Sequence, residues 1–213
     1  KVSEELLGSP FRCTGIAYEK HKIVLVVNLS IIPETLPEIL ERAFIKLQAE
    51  MSKVLDYTIS IGIGNCVTGA QNVGESLDHA LEALKLKILT GYGSIHFWCK
   101  PDESSQGYFY PYTQEKHIFN NIQAGLGEKI KDSVNEFIRS VKDHGSIGYD
   151  NVVLIFNQLI GNTMKYLLDM HCPIGSVLGD DCNLYQELAS LETLDEIQLW
   201  LNQLYEKILN YFQ

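Results

Sequence analysis

Between Tyr57 and Trp98 the chain reads as a strand, a helix and a second strand. Tyr57, Ile59, Ile61 and Ile63 alternate with Thr58, Ser60 and Gly62, the period of two that turns one face of a strand inward. After a polar gap, Leu77, Ala80, Leu81, Leu84 and Ile88 recur at helical spacing. Gly91 and Gly93 close that helix ahead of an extended Ser-Ile-His-Phe-Trp ending at Trp98. A chain patterned this way must bury a helix stripe against a sheet face.

The residues before Tyr57 extend the pattern. Phe11 to Tyr18 and Ile23 to Leu29 are apolar, β-prone runs separated by Glu19, Lys20, His21 and Lys22, which predicts a hairpin. Pro33 and Pro37 mark the entry to a helix whose inner face is expected to carry Ile39, Ala43, Phe44, Leu47, Met51 and Val54. The expected fold class is α+β, with helices on one antiparallel sheet.

A composition break at Lys100 to Gly107, rich in Pro, Ser, Gly and charge, reads as an exposed connector. It divides the chain into a mixed domain (1–100), a linker (101–108) and an all-helical domain (109–213). In the second half, Ile118, Phe119 and Ile122 predict a helix ending near Gly125. Ile130, Val134, Phe137, Ile138 and Val141 predict another ending near Gly145, and Val152 to Met170 a long apolar third. Thr193 followed by Glu196 is a capping-box pattern for the last helix. Along that helix Leu194, Ile197, Leu201, Leu204, Ile208 and Tyr211 form one stripe at spacings of three and four. It is either a seam between two copies or a packing face within one chain.

Composition narrows the functional classes. The net charge is −10 and lies almost entirely in the second half. Residues 1–100 carry 10 Lys and Arg against 11 Asp and Glu, residues 101–213 only 7 against 16. Phosphates would be repelled by such a surface, which argues against direct nucleic-acid binding by these residues. No apolar run approaches the ~18 residues of a membrane span, and Lys1 to Ser9 lacks the layout of a signal peptide. Five scattered cysteines without a Cys-x-x-Cys pair suit small buried side chains in a reducing cytoplasm better than a disulfide framework. The abrupt start suggests a piece of something longer.

Candidate chemistry is sparse. His96 with Cys99, and His171 with Cys172 and Cys182, lack the paired spacing of a zinc site. Gly62, Gly64 and Gly69 do not form the dinucleotide fingerprint and read as structural glycines. Ser60 sits in a strand rather than on a nucleophile elbow.

The Ser-Ile-Gly-Ile-Gly core, with its strand, helix, strand order, resembles the last third of a GGDEF-type domain, the scaffold of bacterial diguanylate cyclases. In that family carboxylates hold the metal ions of nucleotidyl transfer. Here Glu19-Lys20-His21-Lys22 stands where the glycines and carboxylates of the turn should be, leaving an ordinary exposed turn or an anion-binding one. No first strand precedes Phe11 unless Lys1 to Gly8 is its remnant. The second half resembles the segment that follows a degenerate GGDEF-like domain in bacterial AraC-type transcription regulators. The likeness rests on Tyr110-Pro111, Glu115, Ile118, Ile122 and Gly125, on Leu159 to Met170, and on Leu191 to Ile208 with Trp200-Leu201.

The resemblance implies a degenerate, non-enzymatic GGDEF-like domain followed by a helical domain, without catalytic, cofactor-binding or metal residues. Together they would form a homodimeric signal-transmission region. DNA would be bound only through a C-terminal helix-turn-helix domain outside this sequence, and the upstream partner would be a receiver or a membrane sensor. The chain itself would be cytoplasmic, with no direct membrane contact, though the full-length protein could be anchored in the cell membrane. The alternative is a sensor that binds a small effector or nucleotide in the degenerate cleft or among the helices.

Overall fold

A computed structural model describes residues 12–19, 21–29, 34–54, 58–100, 108–144, 147–179 and 182–212. Val54, Tyr57, Lys20 and most of the 101–108 connector therefore contribute no side-chain account, and any remnant strand in Lys1 to Gly8 lies outside the described residues. The chain is α+β and divides into two compact units: Lys1–Lys87 with Tyr92–Lys100, and Ile88–Gly91 with Pro101–Gln213.

In the first unit, β1 (Arg12–Glu19) and β2 (Lys22–Asn28) form an antiparallel hairpin, with Cys13 opposite Val27 and Gly15 opposite Leu25. Helix α1 (Leu36–Val54) buries Leu36, Leu40, Phe44 and Leu47 together with Cys13. The expected inner face was set one residue off at its start. Ile39 is 36% exposed and Leu40 only 8%, because a stripe through Leu36, Leu40, Phe44 and Leu47 continues the i, i+4 row, which Ile39 leaves. Ala43 and Met51 are half-buried against the same core.

Strands β3 (Ile61–Ile63) and β4 (Ile95–Phe97) pair with each other, Ile61 opposite Ile95 and Ile63 opposite Phe97. The expected single antiparallel sheet is corrected here. The pair β3–β4 is parallel, and among the described residues each sheet has two strands. The reason is topological: strands joined through a packed helix return in the same direction. That helix, α2 (Val73–Lys85), follows a 3-10 turn at Ala70–Asn72. A turn at Leu86 separates it from α3 (Lys87–Thr90), so Ile88 is not on the helix that carries Leu84. Gly91 and Gly93 have φ of +83° and +78°, the left-handed backbone that releases the chain into β4.

Ile61, Ile63, Ile95 and Phe97 face the α1 core. Gly62 and Gly64 face α2, where a Cβ would lie 2.1 Å from the Ala80 carbonyl oxygen and 1.9 Å from that of Ser76. The two glycines let helix backbone lie directly on strand backbone. Gln48 of α1 donates through Nε2 to the carbonyls of Ile59 (2.8 Å) and Gly93 (3.0 Å), clamping the lead-ins of both strands.

The described elements of the second unit's 101–213 part are helices. They are α4 (Tyr112–Gln123), α5 (Gly127–Lys142), α6 (Tyr149–Asp169), α7 (Ile174–Leu178), α8 (Leu184–Ala189) and α9 (Leu194–Phe212). The three predicted helices after the break appear as α4, α5 and α6. The short α7 and α8 carry too few turns to show a period. All five apolar residues that predicted α5 are buried, with Phe156, Leu159 and Ile160 of α6 beside them in one core.

Candidate functional site

The hairpin turn of the first unit carries the residues that replace the cyclase signature in the resemblance. Glu19 Oε2 and Lys22 Nζ lie 2.7 Å apart, both exposed. The single carboxylate of the turn is thus already paired with a cation of the same turn. Among the described residues no three His, Cys, Asp or Glu side chains stand together as a metal site.

A second polar cluster lies just past the carboxyl ends of β3 and β4. His79 of α2 stacks on Trp98, ring centroids 3.7 Å apart and planes within 12°. His79 Nδ1 meets Asn65 Oδ1 at 2.6 Å, Trp98 Nε1 donates to Glu82 Oε2 at 2.8 Å, and Ser76 Oγ donates to the Asn65 carbonyl at 2.7 Å. His96, on the same face of β4 as Trp98, has its pKa lowered by burial. Cys66 and Cys99 are exposed rather than buried, whereas Cys13 and Cys172 are buried, and none of the five cysteines is in a disulfide.

The most deeply set polar cluster is in the helical unit. Glu115, 9% exposed, sits in the first turn of α4, where the helix dipole favours a negative charge. Its Oε1 accepts from Tyr110 Oη at 2.7 Å and from Asn162 Nδ2 of α6 at 2.6 Å. Tyr110 is buried edge-on against Phe137. Burial first, then the hydrogen bond to Glu115 and its charge, hold the Tyr110 phenol well above its ordinary pKa. Next to Asn162, Thr163 Oγ1 back-bonds to the Leu159 carbonyl and meets Tyr205 Oη of α9 at 3.0 Å. Burial raises Tyr205 too, the Thr163 bond offsetting part of the shift.

Tyr110 and Glu115 are visible as motif residues, whereas Asn162 lies within the quoted segment Leu159 to Met170 without a role of its own. The signal for it is the set of three amides, Asn157, Gln158 and Asn162, in a mainly apolar helix, with the last two at i, i+4. Such a pair is costly to bury without partners.

The stripe on α9 lies largely inside the unit. Leu194, Ile197, Leu201, Leu204 and Ile208 are buried in the helical core, while Tyr211 is 45% exposed. At the start of α9, Thr193 Oγ1 accepts from the Glu196 N–H at 3.2 Å, but Glu196 Oε2 accepts from the N–H of Glu192 (2.8 Å), one residue earlier than a reciprocal box requires. A cavity of about 80 Å³ lies beside α9, lined by Cys182, Glu187, Trp200 and Lys207 among others. It is well below the ~300–1,000 Å³ of small-molecule pockets. Trp200 Nε1 and Cys182 Sγ both bond Glu187 there (2.8 and 3.4 Å). Burial first, then the Glu187 bond, push the Cys182 thiol upward, away from reactive thiolate.

In comparisons with protein-family models, with curated proteins and with solved structures, nothing matches this chain.

Proposed function

We propose that the chain is the non-enzymatic signal-transmission and dimerisation region of a bacterial AraC-type transcription regulator, a degenerate GGDEF-like domain followed by a helical one. The carrying observation is the hairpin turn. Where the GGDEF resemblance would put metal-holding carboxylates, this turn has Glu19 in an ion pair with Lys22. A further support is the sheet arrangement: β2 and the β3–β4 pair lay apolar side chains on the same face of α1, yet among the described residues they are not hydrogen-bonded to each other. A GGDEF-like sheet short of its first strand would leave that layout. Tyr110 and Glu115, motif residues of the second resemblance, meet in one buried cluster.

In this reading an upstream sensor changes the pose of paired first units, and the helical unit passes the change to a DNA-binding domain beyond α9. Half-sites on a duplex are rigidly spaced, so a change in separation of two DNA-binding domains changes affinity. Because the apolar stripe of α9 is buried within one chain, self-association uses other surface. The test joins this chain to a DNA-binding domain that represses a reporter only when dimeric. Restored repression is the expected result. Output equal to that of the DNA-binding domain alone would refute the reading, as would cyclic dinucleotide formed from GTP and magnesium by the purified chain.

A further inference from the structure

The segment that leads into α4 lies along α6 in an unusual way. Tyr108 Oη donates to Gln158 Oε1, and two residues on, Tyr110 Oη reaches Glu115, which is held by Asn162. Gln158 and Asn162 are one helical turn apart. Tyr108 thus meets the first of these turns directly, and Tyr110 is linked to the next through Glu115. Phe109, between the tyrosines, points elsewhere: its ring stacks on His144, 3.9 Å between centroids and 10° from parallel.

The two ends of this strap are held very differently. Tyr110 and Pro111 are buried, and the Tyr110 ring packs on Phe137. Tyr108 is exposed and Phe109 only half-buried. Freeing Tyr110 would open the core, whereas freeing Tyr108 and Phe109 gives up the Tyr108 bonds to Gln158 and Tyr112, the stack on His144 and the half-buried packing of Phe109 at the edge of the core.

We propose that Tyr108–Phe109 is a peelable latch on α6, with Tyr110 as its fixed pivot, and that seating or release of the latch sets the heading of the chain as it enters the helical unit. The proposal rests on the transmission role argued above and names the element through which a signal would enter. Seated, the segment is tied to α6 through Tyr108 and to the residue just past the C-cap of α5 through Phe109. Released, it swivels about Tyr110, whose bond to Glu115, and the bond of Glu115 to Asn162, stay in place. A local opening of this kind needs far less free energy than unfolding the unit.

The experiment uses the full chain and chymotrypsin, which cuts after aromatic residues and needs several residues of free, extended backbone. Cleavage at Tyr108–Phe109, the bond on the free side of the pivot, is followed by mass spectrometry in the wild type and in Gln158→Ala/His144→Ala. The variant should be cut at this bond roughly tenfold faster, on the 1.4 kcal/mol per decade scale of opening equilibria, with aromatic sites in α5 and α9 unaffected and an unmoved urea midpoint. Should the double variant fold poorly, Tyr108→Phe keeps the ring, removes its hydroxyl bonds to Gln158 and Tyr112, and should accelerate the same cleavage. Unchanged cleavage, or acceleration matched in α5 and α9, overturns the latch. In the reporter fusion the double variant should shift output from the wild-type level, and identical output would overturn the regulatory role. A wild-type fusion that does not repress sinks the transmission reading instead, while proteolysis still decides whether the latch exists.

Discussion

Replacing Glu115 by alanine tests whether a single carboxylate organises the helical unit. The side chain is nearly buried and takes two short hydrogen bonds, from Tyr110 and Asn162, on one oxygen. A hydrogen bond to a charged group contributes about 1.5–3 kcal/mol, and a donor left buried without a partner costs about 1–3 kcal/mol. Both bonds end on the same atom and do not add fully, so Glu115→Ala should lose about 3–5 kcal/mol. Against a typical total of about 5–15 kcal/mol, that lowers the thermal midpoint of the unit by on the order of 10–20 °C. Glu115→Gln keeps an oxygen acceptor in the same place and should cost only about 1 kcal/mol. Urea titration followed by far-UV circular dichroism measures both. Tyr110→Phe should then cost less in the Glu115→Ala background than in the wild type, by about 1–2 kcal/mol of coupling. Equal midpoints for the alanine and glutamine variants, or additivity with Tyr110→Phe, would refute the shared-acceptor account.

Gly64→Ala should destabilise the first unit by more than the usual ~1–3 kcal/mol of overpacking, because its Cβ would lie 1.9 Å from a helix carbonyl oxygen. Gly74→Ala, with open space at the same test position on α2, should instead stabilise by about 0.5–1 kcal/mol, and parallel urea titrations compare the two. Leu204→Glu places a charge at a buried position of α9 and should unfold the helical unit, at a cost of about 3–5 kcal/mol. Normal helicity with a reduced mass in sedimentation equilibrium would mean that Leu204 serves an interface between copies. The raised pKa values of Tyr110 and Tyr205 predict an alkaline limit. Folded, these phenols keep their protons above pH 10.0, where an unfolded tyrosine releases its own. Their stabilisation is complete below that value and should fall as pH rises beyond it, seen as a declining urea midpoint.

Periodic segments were legible and pairings were not. The stripe of Ile130, Val134, Phe137, Ile138 and Val141 predicts α5 because one face of a straight helix meets one core. In α1, two overlapping rows compete, and only the position of the sheet decides that Leu40 rather than Ile39 turns inward. That β3 pairs with β4 in parallel depends on contacts between residues 61 and 95, which no local pattern encodes. Glu115 was visible as a motif residue, yet its role depends on Asn162, 47 positions away. The stripe of α9 shows the same limit from the other side. Its spacing marks an apolar face, but whether that face meets its own chain or another is a property of the tertiary fold.

The parallel pairing of β3 with β4 has a kinetic consequence. The hairpin β1–β2 closes over a few residues and can form early, but Ile61 cannot meet Ile95 until everything between them has been synthesised and α2 has crossed over. Until Phe97 emerges, the described strand that pairs with Ile61 and Ile63 is not in place, and the inner face of α1 lacks part of its cover. A nascent chain paused before Phe97 would therefore display an apolar groove along α1 to chaperones, and the interval would end when Gln48 finds the Ile59 and Gly93 carbonyls together.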